Sequence, residues 1–334
     1  SSMVAVCVSA RVLQAVRDHG DLRVDVPAER AGNNHPEHRR NLILDALLRS
    51  ERLPLTLLPA AAAASLEAAE LVHSKGFVHF LDSAYRRWET ELHGDASYRL
   101  AQEEVALVPF HCSKSGGPRA AGLAAEFACY GSDFETPIHA STAAVLRDDL
   151  GVVHEAVGQV LQGRQAVYAL TTHPGHHSGP AYYSGFCYLN NAAVACAQLE
   201  RSGLKAALLD LDFHGGNGSL DIAQRNGTWF RSIHCAGAYP WVDMGERGVE
   251  LRPGTGWEDG YEAALRGVLR QLPAEARVLV VSLGYDTLVS DPEAGKRAGS
   301  GLALTAPAFF RMGRLLRGTK LPVLALQEGG YDTH

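Results

Sequence analysis

The sequence predicts an α/β fold: a single domain built on a central, mostly parallel β-sheet with helices on both faces. Its active site is expected at the C-terminal ends of the strands. Four short apolar runs carry this reading: Val167 to Thr171, Ala206 to Asp212, Arg277 to Leu283 and Leu321 to Gln327. Each has the length and aliphatic content of a buried strand. Helix-length segments lie between them: Leu189 to Glu200, Glu258 to Leu272, and Thr305 to Arg317 with Pro307 in its first turn. Strand, helix, strand in repeated order makes a parallel sheet. Each run also opens into a polar or glycine-bearing cluster: ThrThrHisProGlyHisHisSerGly at 171–179, AspLeuAspPheHisGlyGlyAsnGly at 210–218, LeuGlyTyrAspThr at 283–287 and GlnGluGlyGlyTyrAsp at 327–332. Four strands therefore deliver polar groups to one rim, where open α/β sheets bind ligands.

With 334 residues, 46% hydrophobic and 20% charged, the chain is large enough to bury a substantial core. It shows neither a repeat nor a linker that splits it, so one domain over 3–334 is expected, with Ser1 and Ser2 set aside. Lys and Arg number 31 against 37 Asp and Glu, a formal charge of -6, which argues against a nucleic-acid partner. A small neutral or cationic substrate fits better. No apolar run reaches the ~20 residues of a membrane span and no signal-peptide pattern opens the chain, so no membrane partner and a cytoplasmic location are expected. The six cysteines form no CxxC pair and read as buried free thiols. Ala60 to Ala69 has the propensity of a plain helix. The segment 92–133 is irregular, with SerGlyGlyPro at 115–118, and reads as an inserted loop at the substrate rim or at a dimer interface.

Asp212 and His214 stand two apart at a strand end, where alternate side chains share a side. With Asp286 they supply two carboxylates and one imidazole, a set that suits a divalent metal with positions left open for water and substrate. His176 and His177 follow Pro174 and Gly175, which favour a turn. Amide hydrolysis needs a base for the water and an acid for the leaving amine, and histidine serves as both near neutral pH. Asp210 shares the face of Asp212 and is placed to orient one imidazole, leaving Asn217 for the other. Tyr331, after Gly329 and Gly330, offers a hydroxyl to a developing oxyanion.

Taken together these residues resemble the arginase/deacetylase superfamily, and specifically the zinc-dependent deacetylases that include histone deacetylases and bacterial acetylpolyamine amidohydrolases. HisProGluHisArgArg at 35–40, ProGlyHisHis at 174–177, GlyPheCysTyrLeuAsnAsn at 185–191, AspLeuAspPheHis at 210–214, AspProGlu at 291–293 and GluGlyGlyTyr at 328–331 occur in family order. The resemblance implies Zn2+, with Fe2+ as an alternative, on Asp212, His214 and Asp286. It implies His177 as general base and acid, His176 acting through electrostatics, and Tyr331 polarising the acetyl carbonyl. Gly185 and Phe186 would line a narrow acyl channel. A structural K+ is implied at Asp210, Asp212, His214 and Ser232. Many relatives carry a second histidine where Gly215 stands, and continue through another helix beyond Tyr331.

Segments from His73 to Trp88 and from Glu135 to Ile138 are most similar to the acetylpolyamine enzymes, and 92–133 occupies the place of their dimer-forming insertion. The resemblance thus implies a homodimer with a narrowed entrance and a slender N-acetylpolyamine as substrate. Glu293 matches a rim glutamate of the polyamine-selective relatives, and Glu135 is a second candidate for a substrate ammonium. The alternatives are a lysine deacetylase, an enzyme of another acetylated metabolite, or a catalytically silent binding module on the same fold. Arginase-like chemistry would need ligands for a second metal, which these clusters do not provide.

Overall fold

The computed structural model describes residues 4–19, 36–50, 55–92, 107–108, 122–292 and 301–332. Eight strands form one sheet in which every pair is parallel: β1 (Val4–Ser9), β2 (Leu55–Ala60), β3 (Ala166–Ala169), β4 (Ala206–Asp210), β5 (Trp229–Cys235), β6 (Gly248–Leu251), β7 (Val278–Leu283) and β8 (Val323–Gln327). Their order across the sheet is β2-β1-β3-β8-β7-β4-β5-β6. The four runs expected from sequence are the four central strands, β3, β8, β7 and β4. A central parallel strand is covered on both faces, so its sequence is an unbroken apolar run.

Two apolar clusters confirm the layering. One, containing Phe77, Phe80, Leu150, Val153, Leu199 and Leu208, lies between the sheet and the helices Lys75–Leu92, Thr142–Leu161 and Asn191–Arg201. The other packs Leu209, Ile233, Leu279 and Val281 beneath the helices Glu262–Leu269 and Ala306–Gly318. Neighbours such as Leu208 and Leu209 enter opposite clusters because successive strand side chains point to opposite faces. Cys7, Cys187, Cys196 and Cys235 are buried free thiols, as composition suggested.

One local expectation fails. Ala60 to Ala69 is not a helix: Ala60 ends β2, a turn follows, and only Glu67–Leu71 coils, as a short 3-10 helix. Ala60 pairs with Ser9 across β1 and β2, and the Ala63 N–H donates to the Arg147 carbonyl at 2.9 Å. These tertiary hydrogen bonds replace the helical ones, which alanine favours by only tenths of a kcal/mol per residue. The segment 92–133 is also less irregular than expected, since it contains the helix Leu123–Tyr130 and a bridge from Leu107 to Ile138. Most of the rest of that segment lies outside the described residues.

Candidate active site

The loops after β3, β4, β7 and β8 converge at the carboxyl edge of the sheet. Asp212 and His214 follow β4, and Asp286 follows β7, with both carboxylates fully buried. The ligand atoms of the three residues lie within 4.8 Å of one another. His214 Nδ1 is 3.2 Å from both Asp212 Oδ1 and Asp286 Oδ2. Backbone donors hold the carboxylates in place: the Gly329 N–H donates to Asp212 Oδ2 at 2.8 Å, and the Phe213 N–H to Asp286 Oδ1 at 3.0 Å. Burial and the adjacent Asp212 raise the Asp286 carboxyl to about 7. Burial opposes charge on His214 too, yet the two carboxylates raise it to about 9. Two buried carboxylates this close call for a positive charge between them. Asp286 Oδ2 accepts no well-aligned hydrogen bond, so the set has the donor atoms and the charge to hold a divalent cation.

His176 and His177 lie in the loop after β3, their ring centroids 4.0 Å apart. His176 Nδ1 donates to Asp210 Oδ2 at 3.0 Å, and its Nε2 stands 3.6 Å from Asp212 Oδ1. Burial works against charge on His176, but the Asp212 and Asp210 carboxylates outweigh it and raise the imidazole well above its ordinary range. His177 Nδ1 faces Asn217 Oδ1 at 2.7 Å. Burial, joined by His176 and His214, holds His177 well below its ordinary range, so it is neutral.

Tyr331 is 4% exposed and follows β8 through Gly329 and Gly330. Its ring sits 4.3 Å beneath the Arg39 guanidinium, which also donates to the carbonyls of Glu328 and Gly330, each at 2.6 Å. Its N–H donates to Asp291 Oδ2. Burial keeps the Tyr331 hydroxyl protonated across the neutral range. Gly185 has φ 57°, and a Cβ there would lie 2.4 Å from His177 Cδ2, so only glycine lets this loop pass over the histidine. The turn presents Phe186 to Tyr331, with ring centroids 6.2 Å apart.

These groups border one cavity of about 640 Å3, whose lining includes His176, His177, His214, Gly185, Phe186, Tyr331, Glu135 and Tyr239. Among the described residues that line it there is no lysine or arginine. Glu135 stands exposed at its border, and Ser232 is buried beside Asp210 in the β4–β5 register. Glu293 and His35 lie outside the described residues.

Several contributors went unassigned in the sequence. Arg39 sits within the 35–40 motif and Asp291 within AspProGlu, patterns that by themselves give neither residue a role. Glu328 accepts from the N–H groups of Gly175 and His176 at 2.6 and 3.1 Å, tying β8 to the histidine loop. Tyr239, 4.8 Å from the His177 ring, had no signal, because nothing near it marks a strand end opening on the site.

Comparisons with known proteins agree with this geometry. A model of the histone deacetylase domain matches residues 34–334. Acetylpolyamine amidohydrolase 1 of Pseudomonas aeruginosa is 34% identical over 278 residues, covering 78% of this chain and 76% of its own. The acetylpolyamine amidohydrolase of Mycoplana ramosa is 30% identical over 288 residues, covering 81% and 80%. The crystal structure of an acetylpolyamine aminohydrolase from Burkholderia pseudomallei superimposes with a TM-score of 0.73 at 26% identity, over 89% of this chain and 85% of that one.

Proposed function

The chain belongs to the histone deacetylase domain family, and on that premise we propose that it hydrolyses N-acetylpolyamines, of the acetylputrescine, acetylcadaverine or acetylspermidine type, to acetate and the free amine. The observation that carries the reading is the joint placement of the Asp212, His214 and Asp286 set, which meets the cavity through His214, with a neutral histidine, a charged histidine and a tyrosine on the same cavity. Relatives named for this activity, at 30% identity or more over most of the chain, support the substrate class.

In this reading Asp212, His214 and Asp286 hold Zn2+ or Fe2+. Such an ion supplies Lewis acidity, polarising the amide carbonyl and lowering the pKa of a water. His177, neutral and protonated on Nδ1, accepts the proton of the attacking water on Nε2 and returns it to the departing amine. His176, kept charged by Asp210 and Asp212, stabilises the negative charge that develops nearby. The Tyr331 hydroxyl donates to the oxyanion as the carbonyl carbon becomes tetrahedral. Gly185 and Phe186 narrow the cavity around the acyl group. A structural K+ at Asp210, Asp212, His214 and Ser232 belongs to the same reading, supported by the register that sets Ser232 against Asp210.

Glu135 and Glu293 are assigned to the substrate ammonium, and the described cavity lining, which carries Asp133 and Glu135 but neither lysine nor arginine, supports a cationic chain. The 92–133 segment is assigned to a homodimer that narrows the entrance. No described helix is long and apolar enough to cross a membrane.

A substrate panel with defined metals tests the assignment. Acetate release is expected to be faster from acetylputrescine, acetylcadaverine or acetylspermidine than from an acetyl-lysine peptide; the reverse order would make the enzyme a lysine deacetylase instead. Glu293→Ala and Glu135→Ala should lower kcat/KM for charged polyamines and spare neutral acyl amides. Equal losses on both would remove these residues from recognition.

A further inference from the structure

Beyond the residues that line the cavity, His177 is the first member of a hydrogen-bonded chain that runs away from it. His177 Nδ1 meets Asn217 Oδ1 at 2.7 Å, Asn217 Nδ2 donates to the Tyr182 hydroxyl at 3.3 Å, and that hydroxyl donates to Asp221 Oδ2 at 2.7 Å. Asn217 and Asp221 stand one turn apart on the helix Asn217–Asn226, so both face the tyrosine. Its ring lies against Gly179, where a Cβ would come within 2.2 Å of the Tyr182 Cε1.

We propose that Tyr182 and Asp221 are positioning residues that set the tautomer of His177. The direction of each hydrogen bond follows from the last. A carboxylate only accepts, so the Tyr182 proton is committed to Asp221 and the phenol oxygen is left as an acceptor. That oxygen takes the NH2 of Asn217 and rejects its carbonyl. The Asn217 carbonyl therefore turns to His177, whose Nδ1 must carry the proton, leaving Nε2 with the lone pair that a base requires. Without this anchor the carboxamide is free to flip. An NH2 facing Nδ1 would select the Nε2–H tautomer, which cannot accept a proton on the nitrogen that a base would use. Burial and the Asp221 carboxylate both raise the Tyr182 hydroxyl above its ordinary range, so it stays a donor. Neither Tyr182 nor Asp221 is among the residues lining the cavity, so both act through Asn217.

The inference rests on His177 as the base, and the test separates the two. In the metal-loaded protein, Tyr182→Phe is expected to lower kcat on acetylputrescine about three- to tenfold, the range of one neutral hydrogen bond, with KM unchanged. Imidazole 15N spectra should show His177 moving from Nδ1–H toward a mixture with Nε2–H. Asp221→Asn, which keeps an acceptor oxygen, should lose less than Asp221→Ala. In an Asn217→Asp background, where both oxygens accept, Tyr182→Phe should cost nothing further. Wild-type kcat with an unchanged Nδ1–H spectrum in Tyr182→Phe would overturn the proposal, as would equal losses in both backgrounds. Should Tyr182→Phe fail to fold, the two Asp221 variants carry the same comparison. If His177→Gln keeps full activity, the base assignment fails, while the spectra still judge the tautomer.

Discussion

The two sides of the cavity floor hold adjacent histidines in opposite states. His176 and His177 are consecutive, both nearly fully buried, with rings 4.0 Å apart. His176 faces two carboxylates and is raised; His177 faces a neutral carboxamide and two other imidazoles and is lowered. Burial acts alike on both, so the partner decides. A site that needs a charged group and a neutral base at one pH obtains both by changing one oxygen acid for its amide.

The strongest attack on this contrast removes what organises both sides. Asp286→Ala should abolish metal binding and reduce activity to background, measured as metal content and acetate release on one sample; full activity without metal would end the metallohydrolase reading. Next, His177→Gln should lower kcat about 10²- to 10⁴-fold, the usual worth of a general base, and His176→Gln by less. The opposite order would exchange the two roles. A smaller effect sharpens the comparison: Asn217→Asp gives His177 a carboxylate like that of its neighbour and raises its pKa. Since the base must be neutral, the acidic limb of the kcat/KM profile should move to higher pH, with little change above it.

The mildest prediction concerns stability away from the reacting groups. His73 Nδ1 donates to the Gly179 carbonyl at 2.8 Å, and its Nε2 accepts the Asn190 N–H at 2.9 Å, so only the neutral ring fits. Burial lowers it from 6.5 to about 4. Below pH 6.5 the unfolded chain binds a proton that the folded one refuses, so stability falls until about pH 4, by about 3 kcal/mol in all. His73→Gln should flatten that part of a urea-denaturation series against pH. An unchanged slope would assign the acid sensitivity elsewhere.

Legibility in the sequence followed burial on two faces. The central strands β3, β4, β7 and β8 announce themselves as apolar runs, and each ends in polar residues at the rim. β1 is equally buried, but its apolar residues run straight into the helix Ala10–His19, so strand and helix periods blur. β2 lies at an edge, which tolerates Pro59. β6 is a four-residue edge strand, and β5 carries Arg231, Ser232 and His234, which break its apolar pattern. Among site residues, the metal-suited set, both histidines, Asp210, Asn217 and Tyr331 were legible because each lies in the polar cluster that follows one of these four strands. Arg39 and Asp291 were not, because their targets are backbone atoms far away in the chain.

By itself the sequence determined that an α/β sheet carries a metal-suited Asp and His set, two adjacent histidines and a tyrosine to one edge, because strand periodicity and chain order are local properties. Only the tertiary structure decided what each group is. Which imidazole is charged, which carboxyl is raised and which way the Asn217 amide points depend on neighbours dozens of residues away, and electrostatics depends on distance in space.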